Sequence, residues 1–228
     1  MLTKNQLKIL AIVCMTIDHI GVAFFPNEPL LRMIGRLAFP IFSYGIAEGC
    51  RYTRNKRRYF GGVFLCGAVC ALALLPVGGF YGNALITMSM SILLVYALQK
   101  WENSGEVRCL ALTFALAAVF YVLCRTVYID YGFAGVLLPL YAELGRLLAI
   151  RFGLPEKTGE RAGFAVGLLA LSAVMGGLQP WCLLSLIPIC LFGSQRGRWK
   201  MKHFFYVYYP AHLALIGALR TALEAAAG

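Results

Sequence analysis

The feature that most constrains this chain is a series of apolar runs, each close to 20 residues long, separated by short basic segments. A helix needs about 20 apolar residues to cross the ~30 Å hydrocarbon core of a bilayer. Hydrophobic residues make up 60% of the 228 residues and charged residues only 14%, whereas a soluble domain carries about 25% charged residues. The sequence therefore predicts an all-α, polytopic transmembrane helical bundle. It excludes a disordered chain, a secreted disulfide scaffold and a nucleic-acid-binding domain.

Hydropathy predicts about nine spans within a single integral-membrane domain over residues 1–228, because no linker or low-complexity tract interrupts the chain. The predicted spans are 5–24, 29–49, 59–79, 83–98, 109–124, 132–150, 163–178, 181–193 and 203–223. The segment 181–193 is short and contains Pro188, so a re-entrant segment is the alternative to a full span there.

The basic residues predict how the bundle is oriented. With the N-terminus in the cytoplasm, 16 of the 21 Lys and Arg residues fall in inner segments, as the positive-inside rule requires. This distribution accounts for the net charge of +11 without a nucleic acid partner. Omitting the 181–193 span would place the basic loop 194–202 outside, so the sequence favours an external C-terminus after nine spans.

The first two spans contain five ionisable residues: Asp18, His19, Arg32, Arg36 and Glu48. Ionisable groups inside a membrane are costly, and they usually face a bundle interior and serve function. With a rise of about 1.5 Å per residue, an antiparallel hairpin brings His19 and Arg36 to similar depth in the outer half of the membrane. The first hairpin is therefore the predicted functional centre.

Chemistry suggests roles for these groups and leaves alternatives open. His19 suits a general base with Asp18 as a supporting carboxylate, but a buried histidine bonded to a carbonyl is the structural alternative. Arg36 suits a clamp for an anion or oxyanion, and an ion pair with Asp18 is the alternative. Arg32 can instead extend its charge toward the membrane surface.

A second polar group lies on the last span. Tyr208, Tyr209 and His212 share one face by their spacing of three and four residues. They form either part of a site or a polar packing seam between helices. Lys202 and His203 lie at the cytoplasmic end of the same span.

The cytoplasmic basic loops 51–58 and 196–202 could contact phosphates, although topology and anionic lipid also account for them. Glu48 and Arg51 suit an interfacial ion pair, and Glu143 and Arg146 suit a pair within one helix. No Walker A, GxGxxG, HExxH or GxSxG motif occurs, and the 8 cysteines include no CxxC pair, so no metal is predicted.

Specific stretches of the sequence resemble a known family. Residues 8–21 read KILAIVCMTIDHIG, residues 32–42 read RMIGRLAFPIF, and residues 204–213 read FFYVYYPAHL. The chain resembles the TraX family, membrane acetyltransferases associated with N-terminal acetylation of conjugative pilin. The resemblance covers nearly the whole chain, with IDHIG and GRLAFPIF as its specific part, while residues 151–180 match nothing recognisable.

The resemblance implies an activity. TraX proteins look related to multi-span acyltransferases, which take an acyl group from cytoplasmic acyl-CoA and deliver it outside through a histidine in an early span. It implies a bacterial cytoplasmic (inner) membrane protein that uses acetyl-CoA and no metal, with a pilin-like protein or a surface glycan as acceptor. The implied residues are His19, Asp18 and Arg36 for catalysis; Arg51, Lys202 and His203 for acetyl-CoA; and Arg32, Glu48, Tyr209 and His212 for the acceptor.

Three other functions are left open by the sequence. A proton-coupled transporter would use His19, Asp18 and His212 as relay groups, but it also predicts an inverted repeat, which the sequence lacks. A scaffold for pilus or surface-polymer assembly would use the polar spans only for packing. O-acetylation of a surface glycan would keep the chemistry and change the acceptor.

Overall fold

The computed structural model describes residues 1–78, 82–193, 195 and 204–227. Within these residues the fold is helical, and pairing between extended segments is limited to two isolated bridges. The prediction of an all-α protein is confirmed. The helices are α1 (Lys4–Phe24), α2 (Pro29–Gly35), α3 (Ala38–Tyr52), α4 (Lys56–Gly78), α5 (Ala84–Ser104), α6 (Val107–Thr126), α7 (Gly132–Arg151), α8 (Glu156–Met175), a 3-10 helix (Gln179–Ser185), α9 (Leu186–Leu191) and α10 (Phe204–Ala227).

Several of these helices can cross a membrane. Within the described residues, 5 stretches are long and apolar enough by length and composition. They are Lys4–Phe24, Pro29–Tyr52, Ala84–Ser104, Val107–Thr126 and Gly132–Arg151. Helices α4, α8 and α10 are similarly long, with 23, 20 and 24 residues, and the shorter segment Gln179–Leu191 corresponds to the predicted 181–193 span. The protein is a multi-pass membrane protein, and nine is an approximate number of spans.

The chain forms two compact units. The terminal unit comprises Met1–Phe42 and Gly176–Gly228, and the central unit comprises Ser43–Met175. In the terminal unit, α1 packs against α2 and α10. In the central unit, α5 packs against α4, α6 and α7, and α7 packs closely along α8.

The predicted span 29–49 is interrupted, which corrects the expectation of one continuous helix. Helix α2 ends at Gly35 and α3 begins at Ala38, so Arg36 lies at the break. Pro40 lacks the N–H that would bond the Arg36 carbonyl, and a proline is tolerated only in the first turn of a new helix. The break therefore follows from the sequence and places Arg36 at a helix end.

The segment Gln179–Leu191 runs antiparallel to α1 in the terminal unit. At one end, the Leu2 N–H donates to the Leu191 carbonyl at 2.8 Å, and the Gly193 N–H donates to the Leu2 carbonyl at 3.0 Å. At the other end, Gln179 contacts Arg36. A 3-10 helix rises about 2.0 Å per residue, compared with about 1.5 Å in an α-helix, so this short segment covers additional depth. Its end lies beside the N-terminus, in agreement with the predicted topology.

Glycines bring α7 and α8 together in the central unit. Gly159, Gly163 and Gly167 recur every fourth residue on α8, opposite Gly145 of α7. A β-carbon added at Gly145 would overlap the Gly159 carbonyl and approach the Gly163 backbone. This small-residue spacing allows two helix backbones to touch inside a membrane.

Candidate functional site

The carboxylate of Asp18 is the centre of an ion cluster in the terminal unit. Arg32 Nη1 donates to Asp18 Oδ2 at 2.9 Å, and Arg36 Nη2 lies 3.3 Å from Oδ1 and 3.4 Å from Oδ2. Asp18 is 9% exposed, so both arginines compensate a buried charge. Gly35 is required between them, because a β-carbon there would overlap the Asp18 side chain.

Arg36 is held by further contacts, all of them long. Its Nη1 donates to Gln179 Oε1 at 3.4 Å, and its Nε donates to the Arg32 carbonyl at 3.4 Å. N–H···O bonds are usually 2.7–3.2 Å long, so these contacts orient the guanidinium without binding it tightly. Arg32 therefore makes the tight ion pair with Asp18, and Arg36 keeps capacity for another acceptor.

His19 pairs with His212, which brings the first and last spans together. His19 Nδ1 lies 2.7 Å from His212 Nε2, and the two rings are nearly parallel with centroids 4.9 Å apart. His212 Nδ1 in turn lies 2.8 Å from the carbonyl oxygen of Tyr208. The imidazole of His19 is thus oriented by His212, whereas the Asp18 carboxylate orients the two arginines.

This chain of contacts fixes which histidine nitrogens carry protons. A carbonyl oxygen only accepts, so His212 Nδ1 must donate to Tyr208. A neutral His212 then has a lone pair on Nε2, so His19 Nδ1 must donate to it. A neutral His19 that donates through Nδ1 carries its own lone pair on Nε2. The geometry therefore provides an imidazole nitrogen ready to accept a proton.

Aromatic side chains hold the histidine pair in place. The Tyr208 ring stacks on His212 with centroids 5.0 Å apart, and the Tyr209 ring meets His212 edge-on at 5.6 Å. Thr16 Oγ1 donates its proton to the Ile12 carbonyl at 2.9 Å, so the Tyr208 hydroxyl is the donor in its 2.7 Å contact with Thr16. The predicted shared face of Tyr208, Tyr209 and His212 is confirmed, and it also serves as a packing seam.

Glu48 and Arg51 lie in the central unit, within a buried ionic network. Arg51 donates to Glu143 and to Glu160, both at 3.0 Å, and Glu48 lies 3.6 Å from Lys157. Both Glu143 and Glu160 are fully buried. Arg51 thus makes two short ion pairs in this structure.

The same network contains the predicted pair on α7. Arg146 Nη2 lies 3.0 Å from Glu143 Oε1, which confirms the pair, and 2.6 Å from Glu102 Oε2. Gln99 also donates to Glu143 at 3.1 Å. The predicted cofactor contacts Lys202 and His203 lie outside the described residues.

Two polar residues of the ion and histidine clusters were not singled out by sequence reasoning. Gln179 contacts Arg36, and Thr16 contacts Tyr208. Both are uncharged, and Gln179 lies just outside a predicted span, so neither disturbs the hydropathy pattern. The available signal was the position of Gln179 directly before Pro180 at the start of the 3-10 helix. Among the described residues, no three His, Cys, Asp or Glu side chains are grouped to hold a metal ion.

Comparison with known proteins gives full-length relatives. The chain is 24% identical to a probable fimbrial assembly protein FimC, serogroup H1, of Dichelobacter nodosus, over 96% of both chains. It is 25% identical to protein TraX of Escherichia coli, over 95% of this chain and 86% of that protein. No solved structure matches the chain significantly. The family model described as TraX protein matches residues 3–220. The chain therefore belongs to the TraX protein family.

Proposed function

We propose that this protein is an acetyltransferase of the bacterial inner membrane. It transfers an acetyl group from cytoplasmic acetyl-CoA to an extracytoplasmic acceptor, the N-terminal amine of a pilin-like protein. Membership of the TraX family supports this function, as does the full-length similarity to a protein named for fimbrial assembly. The pilus-related role is taken from these names, and the chemistry is taken from the site.

The lone pair on His19 Nε2 is the observation that carries the proposal. An amine that attacks the thioester carbonyl forms a C–N bond and must lose a proton. His19 accepts that proton at Nε2 and passes it to the coenzyme A thiolate as the C–S bond breaks. His212 keeps the imidazole in the required tautomer throughout, because its Nε2 accepts from His19 Nδ1.

Arg36 supplies the second requirement of acyl transfer, which is stabilisation of the tetrahedral oxyanion. Its long contacts to Asp18 and Gln179 leave the guanidinium oriented but able to bind a developing negative charge. Asp18 and Arg32 act as positioning residues for it. The apolar helices around the cluster limit hydrolysis of the thioester by excluding water.

The depth of His19 fits transfer across the membrane. It lies fifteen residues after the start of α1 at Lys4, which is about 22 Å along the helix axis. With a cytoplasmic N-terminus, the base then lies in the outer half, where an external amine can approach. Arg51, Lys202 and His203 remain the proposed contacts of the coenzyme A headgroup.

The proposed acceptor contacts divide between the two units. Arg32 and Tyr209 lie beside Asp18 and His212 in the terminal unit, and Glu48 lies in the central unit. They remain proposed contacts of the acceptor. His212 is assigned to positioning His19, because its ring nitrogens bond His19 and the Tyr208 carbonyl.

The test is transfer of labelled acetyl from acetyl-CoA in inside-out membrane vesicles that contain the protein and an acceptor-bearing extract. His19→Ala should lower turnover by about 10²-fold or more, because it removes the base. Val22→Ala is the matched control on α1, since Val22 is 49% exposed on the helix surface. Near-normal turnover of His19→Ala would remove the catalytic assignment and favour a scaffold.

The acceptor is identified separately, by mass spectrometry of external proteins and glycans from cells with and without the gene. The expected result is loss of one acetyl group from the N-terminus of a pilin-like protein. Loss of acetyl from a surface glycan instead would keep the chemistry and replace the amine acceptor with a hydroxyl.

A further inference from the structure

Gln179 has a buried amide whose nitrogen has no hydrogen-bond acceptor among the described residues. The residue is 3% exposed, and only its oxygen has a described hydrogen bond, accepting from Arg36 Nη1 at 3.4 Å. Buried polar groups are nearly always bonded, and an unbonded donor is costly. Its position beside Arg36 indicates that a ligand supplies the acceptor.

The orientation of this amide is set by chemistry. A guanidinium carries only N–H donors, so the oxygen of Gln179 must face Arg36. Turning the amide over would place two donors against each other and leave the oxygen without its bond. The NH₂ group of Gln179 is therefore directed elsewhere, and as part of the same planar amide it stays close to Arg36.

The backbone holds Gln179 firmly in this place. Gly176 and Gly177 have positive φ angles of 62° and 55°, which turn the chain sharply after α8. The Gln179 N–H then donates to the Gly176 carbonyl at 3.0 Å and starts the 3-10 helix. A residue fixed by a tight turn and oriented by an arginine is preorganised for binding.

We infer that Gln179 Nε2 is a hydrogen-bond donor to the carbonyl oxygen of the acyl group, acting together with Arg36. The ligand class is a thioester carbonyl, which becomes an oxyanion when the acceptor amine adds to it. A neutral amide donor suits both states, and its bond strengthens as negative charge develops. This inference rests on the proposed acetyltransferase function and assigns a further catalytic residue to it.

Two substitutions separate the donor from the rest of the side chain. Gln179→Met keeps the length and removes both polar atoms, while Gln179→Glu keeps an oxygen for Arg36 and loses the donor. Both should lower kcat by about 10²-fold with a much smaller change in KM, because the bond is strongest in the transition state. Ser185→Ala is the matched control, a buried polar residue on the same 3-10 helix.

A binding measurement gives a readout that does not depend on turnover. The probes are an acetyl-CoA analogue in which CH₂ replaces the thioester sulfur, which keeps the carbonyl, and S-ethyl-coenzyme A, which lacks it. The unmodified protein should bind the ketone more tightly, by about tenfold, since a site built for a hydrogen bond rejects a ligand without it. Gln179→Met should lose that preference, and Ser185→Ala should keep it.

The outcomes distinguish this inference from the proposed function. If the unmodified protein transfers acetyl and His19→Ala does not, but both Gln179 variants match the unmodified protein in kcat and ligand preference, Gln179 is not a carbonyl donor. If the unmodified protein transfers no acetyl at all, the acetyltransferase function fails, and the role of Gln179 fails with it. If Gln179→Met does not fold, the kcat of Gln179→Glu decides.

Discussion

The carbonyl oxygen of Tyr208 determines the protonation of a side chain on the opposite end of the sequence. It accepts from His212, and His212 accepts from His19 across a separation of 193 residues. Two hydrogen bonds thus select which nitrogen of His19 carries the lone pair. In hydrolases with a Ser-His-Asp triad, loss of the correct histidine tautomer alone lowers turnover greatly, even when the geometry persists.

Replacing His212 should therefore affect turnover through His19. We expect His212→Leu to lower kcat by about tenfold or more, but less than His19→Ala, because the base remains and only its tautomer is released. His212→Gln should retain more activity than His212→Leu, since a glutamine oxygen can accept from His19 Nδ1. The measurement is acetyl transfer in the same vesicles. Equal activity of His212→Leu and the unmodified protein would contradict this role.

The sequence indicates some residues of the site better than others. Asp18, His19 and the two arginines were identifiable because charged groups inside apolar runs are few, and helical rise gives their depth. The pairing of His19 with His212 depends on how α1 and α10 pack, which hydropathy does not contain. The same limit explains why Asp18 was expected beside His19, whereas its described ion pairs are with Arg32 and Arg36.

At the scale of helices, the closest backbone approach in the central unit is between α7 and α8. A β-carbon at Gly163 would overlap the Tyr141 carbonyl and approach the Gly145 α-carbon. The same helices contribute Glu143 and Glu160 to the buried ionic network around Arg51. Separating these helices would therefore disturb both packing and buried charge.

Gly163→Val should destabilise the protein by about 1–3 kcal/mol or more, because the added atoms have no space between the backbones. Gly61→Val is the control, since a β-carbon at Gly61 meets no atom within 4 Å. Thermal unfolding in detergent micelles measures the difference between the two variants. A Gly163→Val melting temperature equal to that of Gly61→Val would show that the helices can separate freely.

Helix positions followed closely from hydropathy, and helix ends did not. The predicted span 163–178 corresponds to α8, which begins at Glu156 because charged residues of its first turns pair within the ionic network. Hydropathy ends where charge begins, although the helix continues. The break at Arg36 leaves the apolar run intact, so hydropathy cannot detect it, and Pro40 was the one local signal.

For the whole molecule, the attachment of the N-terminus constrains the topology. Leu2 bonds to Leu191 and Gly193, so the N-terminus and the end of α9 lie on the same side. Helix α10 has 24 residues and follows the basic loop 194–202. The border between the units falls inside α3, after Phe42, where no change of composition marks it. That arrangement was therefore not readable from the sequence.

The C-terminus should lie outside the cytoplasm. One crossing by α10 separates it from the side that holds the N-terminus, and the basic residues place that side in the cytoplasm. An alkaline phosphatase fused after Gly228 should be active, while the same enzyme fused after Gly105 should be inactive, because the predicted loop after α5 is cytoplasmic. An inactive Gly228 fusion would mean that one crossing is absent, with Gln179–Leu191 the first to re-examine.

The terminal unit is assembled from the first and last parts of the chain to leave the ribosome. Arg32 and Arg36 emerge 14 and 18 residues after Asp18, so the ion cluster can form early in translation. His19 must wait for His212, 193 residues later, for the partner that defines its base. A nascent or truncated chain therefore inserts with its charges neutralised and no defined base, so we expect incomplete products to leave acetyl-CoA unspent.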